Sequence, residues 1–168
     1  MPSSDPSAWV RRWAGSIRPG GVVLDVAAGG GRHARFLASM GFEVEAVDRD
    51  ISALSDVAKN VRVLAADLEG GPWPYAGRRF DAIVVTNYLH RALLPVFVDS
   101  LEPGGLLVYE TFARGNERFG KPSNPAFLLA PGELLEAARG RLHVLAFEDL
   151  VVDSPAPAAI QRIAARRE

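Results

Sequence analysis

The sequence of 168 residues contains no cysteine, and this absence excludes disulfide bonds, zinc sites built on thiolates and iron–sulfur clusters. Its three histidines, His33, His90 and His143, are far apart and do not show the spacing of metal ligands. We therefore expect no metal site in this protein.

Net charge and long hydrophobic runs are also lacking. The 19 lysine and arginine residues nearly balance the 20 aspartate and glutamate residues, and the formal net charge is −1. This balance indicates no nucleic-acid partner and no anionic membrane surface. No apolar run is long enough to span a bilayer, and residues 1–20 have no signal-peptide pattern. We expect a cytoplasmic protein, and the sequence does not define its oligomeric state.

The length and the 48% content of hydrophobic residues predict a single domain over residues 1–168. Within it, apolar segments of strand length alternate with segments of helical periodicity. We predict strands over residues 22–27, 43–48, 61–65, 80–86, 106–111, 143–151 and 159–166, and helices over residues 7–17, 32–40, 51–58, 93–101 and 131–139. Residues 1–19 form an N-terminal helix region in this prediction, and residues 113–130 form a long loop.

The alternation of strands and helices predicts an α/β fold with a doubly wound, mostly parallel, Rossmann-like sheet and helices on both faces. The last two predicted strands are joined by too few residues for a parallel crossover, which needs a dozen or more. We therefore predict a seven-stranded sheet in which the last strand is antiparallel.

The most informative segment joins a predicted strand to a predicted helix. Residues 22–26 are apolar except for Asp25, glycines occupy positions 29–31, and a helix begins at Arg32. A helix start presents backbone N–H groups and a positive dipole end, and glycines let a ligand approach the backbone. Asp48 ends the next predicted strand, where a carboxylate accepts ribose hydroxyls. These features together predict a site for a cofactor of the adenosine type.

The glycines alone are compatible with two kinds of cofactor. Residues 29–34 fit the dinucleotide pattern G-x-G-x-x-G/A, so NAD is one alternative. Asp25 favours a zwitterionic cofactor instead, because its carboxylate attracts an ammonium group and repels a pyrophosphate. An NAD-dependent oxidoreductase also needs hydride-transfer residues such as Tyr-x-x-x-Lys, and neither Lys59 nor Lys121 has a tyrosine four residues before it.

The run Asp25-x-Ala27-x-Gly29-x-Gly31 resembles the D/E-x-G-x-G-x-G motif of class I S-adenosylmethionine-dependent methyltransferases. Ala27 departs from the motif, since the family usually has glycine there and a Cβ disfavours positive φ. The reversed last strand is also typical of this family, and the resemblance covers nearly the whole chain.

The resemblance implies how S-adenosylmethionine is held. The strand end and the glycine turn bind the methionine half, the second strand end binds the ribose, and the third strand end binds the adenine. The implied cofactor-binding residues are Asp25, Ala27, Ala28, Gly29, Gly31, Asp48, Arg49, Asp67 and Leu68, with Thr86 and Asn87 below the methyl group. The alternatives are a surface acid at a strand end for Asp48 and a turn cap for Asp67.

Residues 86–91 follow the fourth predicted strand, where ligands bind in open α/β sheets. We predict that His90 acts as a base in catalysis and that Tyr88 makes a polar contact beside it. The alternative for His90 is a structural residue at a helix start, because many methyl acceptors need no base. His33 lies on the apolar side of its predicted helix and is expected to pack in the core.

The loop of residues 113–130 is long for a compact domain and is predicted to form a lid on the acceptor side. Arg114, Arg118 and Lys121 make it locally basic, which favours an anionic acceptor. The alternative is an ordinary solvated cluster of charges.

The predicted function is methyl transfer from S-adenosylmethionine to a small-molecule acceptor by in-line displacement. Residues 32–34 and 109–112 are similar to the tellurite-resistance type of methyltransferase, whose acceptors are small nucleophiles. Two alternatives remain at this point: a non-catalytic partner protein that binds S-adenosylmethionine, and an NAD-dependent oxidoreductase.

Overall fold

The computed structural model describes residues 4–168; residues 1–3, the start of the predicted N-terminal region, lie outside the described residues. The seven strands are β1 (Val22–Val26), β2 (Glu43–Asp48), β3 (Val61–Ala65), β4 (Phe80–Thr86), β5 (Leu101–Phe112), β6 (Leu142–Val152) and β7 (Ala158–Arg167). The four α-helices of the described chain are α1 (Ala8–Ala14), α2 (Arg32–Ser39), α3 (Leu94–Asp99) and α4 (Glu133–Ala138).

All seven strands form one sheet in the order β3-β2-β1-β4-β5-β7-β6. The pairs among β1 to β5 are parallel, whereas β7 runs antiparallel to both β5 and β6. The predicted sheet with an antiparallel last strand is therefore confirmed. The strand order reverses between β1 and β4, and this switch point opens a crevice at the carboxyl ends of the strands.

Helices cover both faces of the sheet, as predicted. On one face, Trp9 of α1 and Leu37 of α2 pack with Val23 and Val84 in one buried cluster. On the other face, Phe97 of α3 and Leu134 of α4 belong to a second cluster around Ile83 and Tyr109. Strands buried on both sides explain why β1 and β4 are almost continuously apolar in sequence.

Some predicted boundaries are wrong. The predicted helix over residues 51–58 is only a 3₁₀ turn at Ser52–Leu54, because its apolar face is short and buries Leu54 alone. The Asp56 side chain bonds to Arg35 of the neighbouring helix instead of supporting a helix of its own. Strand β5 begins at Leu101, five residues earlier than predicted, since Leu101 pairs with Phe80 across a register shift.

Strands β2, β3 and β4 have the predicted bounds, and several of the other elements differ at their ends. Strands β6 and β7 extend one residue further at each end than predicted, and α1, α3 and α4 are shorter than the predicted helices. Ser7 accepts a hydrogen bond from the Val10 N–H and caps α1, as its position suggested. Among residues 4–168, no helix is long and apolar enough to cross a membrane.

Candidate active site

The glycine turn between β1 and α2 has a backbone that few residues adopt. Gly29 and Gly31 have φ values of +54° and +86°, and Ala27 also has a φ of +54°. A Cβ at Gly31 would lie 2.5 Å from a Leu54 methyl group, so only glycine fits. Ala27 adopts a positive φ although its Cβ disfavours one, and this conformation costs about 1–2 kcal/mol of stability. The N–H of Ala28 donates to the Val47 carbonyl at 3.0 Å and fixes the turn to β2.

Asp48 lies against this turn rather than on an open surface. Its Oδ2 accepts from the Gly29 N–H at 2.8 Å, and its Oδ1 accepts from the Asp50 N–H at 3.0 Å. The side chain is only partly buried. The carboxylate therefore stands at the crevice, beside the backbone groups of the glycine turn.

Asp25 is a buried acid directly below the glycine turn. Its exposed fraction is 1%, and it accepts a hydrogen bond from the Ala34 N–H of α2. Burial raises its pKa to about 7, and the nearby Asp48 adds to the shift. Within the described part of the chain, no donor pairs with Asp25 Oδ2. An orphaned buried oxygen of this kind fits a ligand that brings an N–H donor.

Asp67 forms the turn cap that the sequence left as an alternative. Its Oδ1 accepts from the N–H groups of Glu69 and Gly70, both at 3.0 Å, and these bonds lower its pKa. The charge of Arg49 acts on Asp67 as well, so the two side chains share one region. Leu68 is half-buried against the core beside them. The adenine-binding roles of these three residues stay predictions.

Residues 86–90 lie at the carboxyl end of β4, next to the glycine turn. Asn87 has a φ of +54°, and its N–H donates to the Glu110 carbonyl at 3.0 Å. Strained non-glycine residues of this kind concentrate at functional sites. Asn87 also lines both cavities described below.

The two predicted catalytic side chains, Tyr88 and His90, lie in the segment that follows β4. His90 Nδ1 is 3.5 Å from Glu69 Oε1, and His90 also acts electrostatically on Asp67. Burial and the nearby Glu69 raise the pKa of Tyr88 to about 12, so its phenol is protonated at neutral pH. Tyr88 can therefore donate a hydrogen bond but not act as a base. Neither side chain lines the larger cavity, and both catalytic roles stay predictions.

His33 connects three elements around the site. Its Nε2 accepts from the Ser7 N–H at 3.0 Å, so the neutral ring carries its proton on Nδ1, which lies 3.3 Å from Thr86 Oγ1. Burial, together with the nearby Arg32 charge, lowers the pKa of His33 to about 4. His33 thus positions the segment before α1 and the end of β4.

A cavity of about 840 Å³, which we name the acceptor cleft, opens beside Asn87. Its walls come from five places: residues 5–12, the start of α2, the ends of β4 and β5, the predicted lid, and the hairpin of β6 and β7. A second cavity of about 330 Å³ lies between Tyr88, Asn87 and the lid residue Phe127. The predicted acceptor side is therefore open, and its volume is that of typical small-molecule sites.

The lid of residues 113–130 is anchored rather than loose. Asn116 is buried, accepts from the Ala159 N–H and donates to the Pro122 carbonyl. Gln161 accepts from the Leu134 N–H and donates to the Ala130 carbonyl, which fixes the far end. Of the three basic lid residues, the structure brings only Lys121 to the acceptor cleft. Arg114 and Arg118 do not line it.

Sequence analysis did not identify Glu110 and Arg162, two charged residues of the cleft wall. Arg162 Nη1 donates to Glu110 at 3.1 Å, and Nη2 donates to Glu148 at 3.1 Å. Its guanidinium also lies 4.9 Å from the ring centroid of Trp9. Glu110 could have been identified as a candidate site residue, because it lies near the carboxyl end of β5, at the crevice. Arg162 gave no signal, since the hairpin register alone brings it there.

Comparisons with known proteins agree with this geometry. Residues 23–105 match the family model of a methyltransferase domain. A protein-L-isoaspartate O-methyltransferase of Methylorubrum populi is 34% identical over 122 residues, which cover 62% of this chain and 56% of that protein.

Solved structures share the fold. TehB from Haemophilus influenzae superposes with a TM-score of 0.78 and 19% identity, covering 97% of this chain and 63% of TehB. The 1,6-didemethyltoxoflavin-N1-methyltransferase of Burkholderia thailandensis, solved with S-adenosylhomocysteine bound, has a TM-score of 0.67 and 21% identity, covering 95% and 78%.

The fold and the glycine turn, together with these matches, identify residues 23–105 as a methyltransferase domain. S-adenosylmethionine is the cofactor of this family, and the family predicted from the motif is confirmed. The chain spans 56% of the length of the curated relative and 63% of TehB.

Proposed function

We propose that this protein transfers the methyl group of S-adenosylmethionine to a small-molecule acceptor bound in the acceptor cleft. The observation that carries the proposal is the orphaned Oδ2 of Asp25 below the glycine turn. A buried carboxylate needs a partner, and the ammonium group of the methionine moiety supplies one. A pyrophosphate at the same place would add a second negative charge, which argues against NAD.

The proposed cofactor contacts follow the carboxyl ends of the strands. Asp25 and the glycine turn hold the methionine moiety, and Asp48 accepts hydrogen bonds from the ribose hydroxyls. Arg49, Asp67 and Leu68 surround the adenine, where Asp67 uses the oxygen that its turn cap leaves over. Thr86 and Asn87 then lie beside the methyl group, at the opening of the acceptor cleft.

Methyl transfer depends mainly on how the protein positions the acceptor relative to the methyl group. The cofactor supplies a methyl group already activated by a sulfonium, and the protein aligns the acceptor behind it. Alignment of two reactants supplies about 7–11 kcal/mol in well-oriented cases. The anchored lid and the segment before α1 form two walls of the cleft in which the acceptor is aligned.

We propose Glu110, rather than His90 or Tyr88, as the group that takes the proton of the acceptor. Its Oε2 is held by Arg162 in the cleft wall, and its Oε1 has no hydrogen-bond partner among the described residues. Tyr88 remains protonated at neutral pH, and His90 does not line the acceptor cleft, whereas Glu110 does. Proton transfer to a positioned carboxylate contributes about 10²–10⁴-fold.

The open cleft favours an enzyme over a non-catalytic binding partner, because a protein that only binds the cofactor has no need of an acceptor cavity. Five cationic side chains against two carboxylates line the cleft, which favours an anionic acceptor. The Burkholderia thailandensis methyltransferase, which shares the fold, was solved with the small molecule 1,6-didemethyltoxoflavin bound. A cytoplasmic location stays a prediction from the sequence.

The proposal is tested by calorimetry with S-adenosylhomocysteine and NADH, followed by an acceptor screen with methyl-labelled S-adenosylmethionine. We expect S-adenosylhomocysteine to bind, and saturation at 100 times Kd to stabilise the fold by about 2.7 kcal/mol. Binding of NADH without binding of S-adenosylhomocysteine would contradict the cofactor assignment. Tight cofactor binding with no methyl transfer to any screened acceptor would favour the non-catalytic alternative.

A further inference from the structure

We infer that the acceptor cleft selects an organic anion with an apolar body, and that Lys121 and Arg11 hold its negative group. This inference rests on the proposed function, since the selected anion is the methyl acceptor. It assigns specificity to two side chains on separate elements, the lid and α1, which line the same cavity.

The internal pairing of charges in the cleft singles out these two cations. Arg162 is neutralised by Glu110 and Glu148. Arg12 lies 3.6 Å from Glu148 and stacks over the Trp9 and Trp13 rings. These two arginines therefore serve the wall rather than a ligand.

Arg32 is held by a hydrogen bond from its Nη1 to the Asp5 carbonyl at 3.0 Å, and its charge acts on Asp25 and His33 beside the glycine turn. Lys121 and Arg11 remain, and neither has an ion-pair or hydrogen-bond partner within residues 4–168 for its charged group. Both are exposed at the cleft. A ligand with a carboxylate, sulfonate or phosphate group can accept charge-assisted hydrogen bonds from both side chains. A neutral ligand cannot, and the two cations then stay hydrogen-bonded to water alone.

The remaining lining explains why the ligand must also have an apolar body. Phe112 and Phe119 face the cleft from β5 and the lid, and Ile160, Pro155 and Pro157 face it from the hairpin. A bare inorganic anion would leave this surface in contact with water. An aromatic or alicyclic acid buries it and still reaches the cations.

The carboxylates of the cleft do not favour a cationic ligand. Glu110 is already paired with Arg162, and Asp5 takes part in interactions of its own. A cationic ligand would therefore be repelled by the excess of positive charge in the cleft. The carboxylate at the proposed reaction centre, Glu110, is already paired with Arg162. The cleft discriminates by charge as well as by shape.

The experiment compares two matched pairs of probes that share a ring and differ in charge: benzoate with benzamide, and 2-naphthoate with 2-naphthamide. Binding is measured by ligand-observed NMR titration, with and without S-adenosylhomocysteine. The variants are Lys121→Gln, Arg11→Gln and the double variant. Arg114→Gln is the matched control, because Arg114 is a cation of the same lid that does not line the cleft.

We expect the wild-type protein and Arg114→Gln to bind each acid about tenfold more tightly than its amide, as charge-assisted hydrogen bonds predict. Each single variant should lower this preference, and the double variant should abolish it while leaving amide binding unchanged. A naphthoate that binds more tightly than benzoate supports the apolar body.

Equal binding of acids and amides by the wild-type protein would overturn the inference, as would an acid preference that survives in the double variant. Failure of all four probes to bind would overturn it too. Because the probes are also measured without S-adenosylhomocysteine, the acid preference is determined even if cofactor binding fails. Loss of cofactor binding contradicts the proposed function, whereas loss of acid preference alone contradicts only this inference.

Discussion

Asp25, the glycine turn and Asp48 come from one continuous unit of strand, turn, helix and strand, whereas the acceptor cleft draws its walls from five separated parts of the chain. The cofactor half therefore has a fixed local backbone, with positive φ at Ala27, Gly29 and Gly31. The acceptor half depends on side chains meeting across the sheet, such as Arg162 with Glu110. A local backbone of fixed shape suits a cofactor that many relatives share. Side chains that meet across the sheet can change without altering the fold, so the acceptor can differ between relatives.

The largest expected effect separates chemistry from binding in the acceptor half. Glu110→Gln should lower kcat by about 10²–10⁴-fold, because the amide cannot take a proton. Glu148→Gln is the control, since Glu148 pairs with the same Arg162 but does not line the cleft. Steady-state kinetics and calorimetry on both variants test this. Equal losses in the two variants would show that only the Arg162 network matters.

A second prediction concerns two buried groups with opposite pH effects. Folding raises the pKa of Asp25 to about 7, so the apoprotein loses stability as pH rises between the ordinary Asp value and 7, on the order of 4 kcal/mol. Folding lowers the pKa of His33 to about 4, so stability is lost as pH falls from 6.5 towards 4, about 3 kcal/mol. Between pH 4 and 6.5 the two slopes oppose each other.

Urea unfolding across this pH range should therefore give a nearly flat contribution from this pair in the wild-type apoprotein. Asp25→Asn should reveal stability that rises with pH, and His33→Gln should reveal stability that falls with pH. Parallel profiles for all three proteins would contradict the assignment of these pKa shifts. Saturating S-adenosylhomocysteine should lower the pKa of Asp25 and release a proton, which calorimetry in buffers of different ionisation enthalpy measures.

A third prediction tests the local character of the cofactor half. Asp48→Ala should weaken S-adenosylhomocysteine binding by about 1.5–3 kcal/mol, through the loss of charge-assisted hydrogen bonds. Folding should persist, because the carboxylate lies in the crevice and not in the core. Asp50→Ala, two residues further on at an exposed position, is the control for loss of charge. Unchanged affinity in a folded Asp48→Ala protein would contradict the ribose assignment.

The smallest effect concerns the departure from the family motif. Ala27→Gly should relieve about 1–2 kcal/mol of left-handed strain and lose about 0.5–1 kcal/mol to chain entropy. We expect a net gain of less than about 1 kcal/mol in the free energy of unfolding, measured by urea titration. Gly30→Ala is the control, because Gly30 has neither a positive φ nor a close neighbour. A destabilised Ala27→Gly protein would show that the alanine methyl group packs favourably.

The sequence predicted a mostly parallel, seven-stranded sheet with an antiparallel last strand, because the strand spacing and the length of the last connection restrict the topology. The short connection before β7 allowed only an antiparallel strand, and the apolar runs of β1 and β4 marked the buried centre. It was wrong about the helix over residues 51–58, where only the 3₁₀ turn Ser52–Leu54 forms. Periodicity over eight residues does not tell a short turn from a helix.

The two halves of the site differ in the same respect. The position of Asp48 relative to the glycines is a property of consecutive residues, so the motif predicted it. His90 was predicted for the acceptor side. In the structure it lies 3.5 Å from Glu69, in the loop before β4, and close enough to Asp67 to act on its charge. Arg114 and Arg118 were grouped with Lys121 because they share a loop, and only the anchoring of that loop by Asn116 and Gln161 separated them.

By itself, the sequence determined the α/β fold, the glycine turn, the acid at the end of β2 and the absence of cysteine chemistry. These features depend on residues close together in the chain, where backbone geometry leaves few options. Only the tertiary structure decided which charges line the acceptor cleft, which of them are already paired, and that one oxygen of Asp25 has no partner among residues 4–168. Those properties arise from the register of distant strands and from burial, because contacts between distant residues leave no periodic pattern in the sequence.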